Sequence, residues 1–272
     1  MKTRRFLALP ILTFLLAITF TNCKKNQSSD KTSQNDIITS KGLSYEIISL
    51  NKSHGCENGN KDKSGCVEIS ISYPKIVNAK DDQVKNKLNA YIENHFEING
   101  YQSLDSAMND FIDNYLDILK FDSTYKTHWY GEYVERIIYQ SDEILSLAYE
   151  ANSYEGGAHS QFELHFSNLS LQTGNLVKLE EVLKDGYSQK LNEIGESIFR
   201  KDKNLAPEES LFKAGYLFPG NKFTLNNNYS LSDSGIYFFY NNYEIASYAQ
   251  GTTELLIPID SISTLIQKNW TK

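Results

Sequence analysis

Apolar and polar residues alternate over residues 43–50 and again over 66–73, the two-residue period of a strand with one buried face. Pro74 follows the second run and is expected to stop it, because proline has no N–H to give to a ladder. The period then changes. Val84, Leu88, Ile92 and Phe96 recur every four residues within 80–96, which gives a helix one apolar face. A second helix fits 103–120, with Ser103 as its cap and a stripe of Leu104, Met108, Phe111, Tyr115, Leu116 and Leu119. Three strand-like runs come next, 127–139, 143–154 and 161–171, joined by "QSD" and "EGGAHS", both of hairpin length.

After a turn at 172–175, residues 179–183 read as a short helical turn. Residues 187–201 read as a helix with Leu191, Ile194, Ile198 and Phe199 on one side. Strands are expected at 223–231 and 236–240 around the turn "SDSG", and at 252–257. Pro258 suits a helix start, so 259–270 is expected to close the chain as a C-terminal helix. Antiparallel β-sheet hairpins with inserted helices define an α+β fold, not a doubly wound parallel sheet.

The chain ends change the picture of where the protein lives. Lys2, Arg4 and Arg5 precede an apolar run at 6–20 that is short for a membrane span and has the layout of an export signal. Cys23 follows at once, and the junction resembles a bacterial lipoprotein processing site, which makes Cys23 the expected lipidation residue. Asn22 departs from that pattern, where Gly, Ala or Ser is usual. The alternative is an ordinary secretory signal cut nearby. Residues 1–22 are thus read as a signal peptide and 23–42, polar and without periodicity, as a flexible tether.

The whole chain carries 27 basic and 34 acidic residues. Loss of the signal removes three basic residues and no acid, so the mature net charge is more negative than the −7 of the full chain. That argues against a nucleic-acid partner and permits a basic protein partner. Cys56 and Cys66 flank a polar loop and read as a disulfide in an exported protein. The rival is a metal site made with His54.

Gly156-Gly157-Ala158-His159 is the segment with a choice to make. A catalytic reading needs Ser160 or another hydroxyl folded against His159, with Glu155 or Glu163 orienting the ring, yet no Gly-x-Ser-x-Gly elbow is present. A metal reading pairs His159 with His165, but six residues of strand separate them by roughly 20 Å, beyond the reach of one ion. His54, His95 and His128 have no ligand-like spacing with either. The simpler reading is a turn, in which glycines take positive φ without a Cβ penalty and His159 bonds across the joint. A binding variant keeps that turn and lines a groove with Tyr154, His159, Tyr240, Tyr243 and Glu244, since tyrosines offer flat apolar faces with polar tips. The bland alternative for most of the 18 tyrosines is half-burial along strands.

Two stretches carry a family resemblance. "YEGGAHSQFELHFSNLSLQTGNLVKLEEVL" and "GIYFFYNNYEIASYAQGTTELLIPIDSI" resemble the RsiV-like C-terminal domain of unknown function. Upstream, "ISISYPKI", the two helices and "ILSLAYEANSYEGGAH" are similar to the domain named after the peptidoglycan deacetylase PdaC. The resemblance implies a PdaC-like domain at 43–157 followed by an RsiV-like domain at 158–272. In that family the best understood member is the outer part of a membrane-bound anti-sigma factor that binds lysozyme. The deacetylase holds its chemistry in a separate catalytic domain, whose combined Asp-Asp and His-x-x-x-His pattern this sequence lacks, since no two of its histidines stand four apart. The expectation is an exported, lipid-anchored, non-catalytic cell-envelope protein that binds a lysozyme-like protein or peptidoglycan glycan. A peptidoglycan-modifying enzyme and a structural envelope lipoprotein are the alternatives. No catalytic residue, metal or cofactor is assigned.

Overall fold

The computed structural model describes residues 36–56, 64–96 and 101–271, so the expected export signal, Cys23 and most of the expected tether lie outside the described residues. Six strands form one sheet in chain order: β1 (Ile38–Ser40), β2 (Leu43–His54), β3 (Val67–Asn78), β4 (Trp129–Gln140), β5 (Ile144–Tyr154) and β6 (Gln161–Ser170). Each neighbouring pair is antiparallel except β3 and β4, which run parallel with Val67 opposite Trp129. A parallel pair needs a crossover, and the helices α1 (Asp82–Asn94) and α2 (Leu104–Phe121) supply it. The Asp81 side chain accepts from the N–H of Val84 at the start of α1. Ser103 and Ser106 cap each other at the start of α2. Periodicity located these elements except β1, whose residues were expected in the flexible tether but pair with β2, and it gave no hint that β3 and β4 run parallel.

Pro74 does not stop β3. It sits opposite Ile47 of β2, while β4 pairs with β3 only from Val67 to Ser72. Two residues on, the N–H and carbonyl of Ile76 both bond the side-chain amide of Asn89 on α1, at 2.8 and 2.9 Å. Residues two apart point their amides the same way, so Pro74 faces the side where the ladder has already ended.

The helices lie on one face of this sheet. Val84, Leu88 and Ile92 of α1 and Met108 of α2 pack on Ile69, Ile71, Leu145, Leu147 and Leu169. Tyr115 joins Val67 and Trp129 in a satellite cluster. A second sheet contains β7 (Tyr229–Ser232), β8 (Gly235–Tyr240) and β9 (Thr253–Pro258), all antiparallel. Its core holds Leu231, Phe238, Leu255 and Ile257 together with Leu191 and Phe199 of α4 (Tyr187–Asp202) and Val182 of the short α3 (Leu179–Val182). Ile144 of β5 belongs to this second core, whereas Leu145 and Leu147 belong to the first. All five residues from Ile144 to Ala148 are buried, because this end of β5 is covered on both faces. The buried Ser146 hydroxyl bridges the layers, bonding Asn168 Oδ1 at 2.9 Å and the carbonyl of Leu231 at 2.8 Å.

Residues Asn35–Lys272 form one compact unit. The expected division between 157 and 158 falls in the β5–β6 hairpin, within one sheet. Two sequence expectations fail locally. The strand expected at 223–231 forms only from Tyr229, because Asn226 and Asn228 turn their amides onto other backbones. The C-terminal helix expected at 259–270 is reduced to a 3-10 turn, Ile259–Ile262. Beyond it the backbone bonds the segment between α3 and α4: Lys184 N–H donates to the Leu265 carbonyl at 2.8 Å, and Gln267 N–H to that of Val182 at 2.9 Å. Trp270 is buried and its indole N–H reaches the Ser232 carbonyl at 2.9 Å, so this tail seals the second core. Among the described residues no helix is long and apolar enough to cross a membrane.

Candidate functional site

The glycine turn is held by its own neighbours. The Tyr154 hydroxyl donates to the Gly157 carbonyl at 2.9 Å and accepts from the Gly157 N–H at 3.3 Å, closing a loop of three residues. Gly156 has φ +82°, and a Cβ there would lie 2.6 Å from the Tyr125 hydroxyl. That hydroxyl is fixed by the Trp129 indole N–H at 3.0 Å, so both backbone angle and space select glycine.

His159 leaves the turn and crosses to the other half of the molecule. Its Nδ1 lies 2.9 Å from the Ser160 carbonyl, which can only accept, so Nδ1 carries a proton. Nε2 lies 3.1 Å from the hydroxyl of Tyr243, 84 positions later in the chain. The Tyr248 ring stacks on the imidazole with centroids 4.0 Å apart, and Tyr243 lies 5.7 Å from Tyr248. All three side chains are exposed, Tyr243 at 62 %. Tyr243 also holds φ +65°, a left-handed conformation that costs a bulky residue free energy.

The other residues of the expected groove have different places. Tyr240 is buried, its hydroxyl donating to the Thr224 carbonyl at 2.8 Å, and burial raises its pKa. Glu244 caps the segment before Tyr243: its carboxylate accepts from Asn241 N–H at 2.8 Å and from the Asn226 amide at 2.7 Å. Tyr154 staples the turn. The structure therefore brings His159 and Tyr243 together, and adds Tyr248, which the sequence reading did not single out. Tyr248 stands five residues after Tyr243 in "YEIASY", but a 3-10 turn at Tyr248–Gln250, not any strand or helix period, aims it at His159.

Amides hold the corner's foundation. Asn241 and Asn228 each bond both ways to the open edge of β6, at the N–H and carbonyl of Leu164 and at the N–H of Phe166. An edge strand's unpaired groups are thus covered by side chains and not by another strand. His165, which the strand spacing already sets apart from His159, faces Glu163 at 3.3 Å.

A second histidine was missed in the sequence. His95, just past α1, sets Nδ1 2.7 Å from Glu135 Oε2 and Nε2 3.1 Å from the Tyr91 hydroxyl, which bonds Ser167 at 2.6 Å. The Glu135 side chain is fully buried, its Oε1 has no hydrogen-bond partner among the described residues, and burial raises its pKa. A signal existed: Glu135 shares the inward alternation of Trp129, Gly131 and Tyr133, a charge on a core-facing position. Ser167 and Tyr91 line a cleft of about 480 Å³ with Asn168, Tyr187 and Tyr229. Tyr91 and Ser167 bond each other, Tyr187 donates to the Glu180 carboxylate at 3.0 Å, and Tyr229 donates to the Val177 carbonyl at 3.3 Å.

Cys56 and Cys66 are joined as a disulfide. The expected neighbour, His54, is exposed on β2, whereas His128 presents a ring nitrogen within 4.8 Å of both sulfurs.

The profile of a family described as Deacetylase PdaC matches residues 60–161, and that of a family described as a protein of unknown function, DUF3298, matches 180–260. The chain carries a PdaC region followed by a DUF3298 region. A DUF3298-family crystal structure from Bacteroides fragilis superposes with a TM-score of 0.65 at 23 % identity, covering 85 % of this chain and 96 % of that one. A second, from Pseudomonas aeruginosa, gives 0.60 at 18 %, covering 84 % and 96 %. At such identities the likeness is one of fold. No curated protein in the comparison matches the chain. His159 falls within the PdaC region and Tyr243 and Tyr248 within the DUF3298 region, so the aromatic corner is built across the two.

Proposed function

We propose that this is a non-catalytic binding protein of the cell envelope, anchored by lipid at Cys23, whose aromatic corner docks a basic extracellular protein of the lysozyme type. The observation that carries the reading is the exposed trio His159, Tyr243 and Tyr248, assembled from distant segments on a strained backbone. Strain and exposure of that kind are expensive to keep unless a partner uses them. Tyrosine is enriched among residues that dominate binding energy. The acidic chain, with Glu155 and Glu163 exposed near the turn, favours a cationic partner and speeds its encounter.

A second reading is a wall glycan, supported by the parallel His159 and Tyr248 rings, a flat surface suited to sugar C–H faces. Calorimetric titration of the mature protein separates the two. A lysozyme should bind, more weakly as salt rises, and Tyr243→Ala with Tyr248→Ala should weaken it about tenfold or more. Binding of peptidoglycan fragments with no lysozyme heat selects the glycan. Silence from both at high concentration removes the proposal. Membrane fractionation tests the anchor separately, since Cys23→Ala should release the protein.

A further inference from the structure

The parallel β3–β4 pairing has a chemical consequence at its end. With Val67 opposite Trp129, the residues just before them, Cys66 and His128, become neighbours, and the Trp129 N–H donates to the Cys66 carbonyl at 2.9 Å. Cys56 arrives from the end of β2, whose His54 lies opposite Val67. Three chain segments thus converge, although 62 positions separate Cys66 from His128. The two sulfurs and a ring nitrogen of His128 lie within 4.8 Å of one another. Glu68, two residues along β3, places Oε1 3.2 Å from His128 Nε2. That nitrogen is buried and makes no hydrogen bond of good geometry among the described residues.

We propose that Cys56, Cys66, His128 and Glu68 form a zinc site when the disulfide is reduced. Two thiolates, an imidazole and a carboxylate are the donor types of tetrahedral zinc, whose ligand atoms sit about 3.5 Å apart at bond lengths of about 2.0–2.3 Å. Reduction lets the two bonded sulfurs part toward that spacing while side-chain rotation draws in the His128 ring, and the Glu68 carboxylate, outside the present three-residue cluster, swings in from beside His128. A cleft of about 580 Å³, lined by Glu68, His128, Lys52 and Glu132, gives the ion a path from solvent. The balance of the switch is simple. An external dithiol gives two electrons and two protons to the Cys56–Cys66 bond and itself becomes a disulfide. Zinc then displaces the two thiol protons into solvent. The oxidised protein binds no metal here, and zinc in turn shields the thiols from reoxidation.

The test uses the mature protein, oxidised and after phosphine reduction, titrated with zinc against a chromophoric chelator. Cobalt serves as a spectroscopic stand-in. The reduced protein should take one equivalent of zinc and show a thiolate-to-cobalt charge-transfer band, and the oxidised protein neither. His128→Ala keeps both thiols and should lose affinity by more than about 100-fold, beyond the 10–100-fold loss that removing a supporting residue produces. Cys56→Ser should lose most of the cobalt band. The proposal is overturned if the reduced, folded protein takes no zinc, if His128→Ala binds as tightly as the wild type, or if the reduced protein unfolds and zinc does not restore it.

Discussion

His95 and His159 make the same set of contacts in opposite settings. Each ring places Nδ1 against an oxygen acceptor, Nε2 against a tyrosine hydroxyl, and its face or edge against an aromatic neighbour. His95 does this beneath the sheet, against a carboxylate with no exposure at all. His159 does it in the open, against a main-chain carbonyl and two exposed tyrosines. The residue type and bonding are shared, so burial decides what each ring is for. The inner one compensates a buried acid, and the outer one, under the proposed function, offers its surface to a partner.

The comparison breaks most sharply if the inner ring is removed. His95→Ala strands the Glu135 carboxylate and should cost about 3 kcal/mol at neutral pH, read as a fall in the urea midpoint. If the loss were under half a kcal/mol, the buried pair would be incidental. Gly156→Ala comes next. It forces a side chain into φ +82° beside Tyr125 and should cost about 1–3 kcal/mol, placing the corner's stability in its backbone turn.

A pH series sharpens the inner half. Burial raises the Glu135 pKa, while the His95 hydrogen bond and charge pull it down. The folded state therefore holds its proton above the ordinary carboxyl value of 4.5, where the unfolded chain has already released it. Stability contributed by the protonated acid falls as pH rises from that value through the raised one. Wild type should lose stability relative to Glu135→Gln over that window and run level above it. An opposite slope would mean that His95 outweighs burial. The smallest effect belongs to the outer ring: His159→Ala should change stability by no more than about 0.5 kcal/mol, while weakening partner binding.

Much of this was legible in the sequence because it is periodic. The stripe of α1, the cap at Ser103 and the hairpins around "QSD" and "EGGAHS" stand where alternation and turn chemistry placed them. What escaped depends on partners distant in the chain. Pro74 continues a strand because β4 has already ended, and the tail after Ile262 bonds α3's loop in preference to itself. The corner was half legible: His159 and Tyr243 were named, but Tyr248 enters through a 3-10 turn that no hydrophobic period marks. Glu135 could have been found from its inward-facing position, whereas His128 could not, since only the parallel register sets it beside Cys66.

Hydrogen-exchange footprinting of the mature protein with a saturating lysozyme addresses the corner most directly. Protection is expected in residues 155–160 and 243–250, with the α1 end around His95 unchanged. Protection elsewhere, with both of those segments exchanging as they do in the free protein, would contradict the assignment of the exposed aromatic corner as the docking surface.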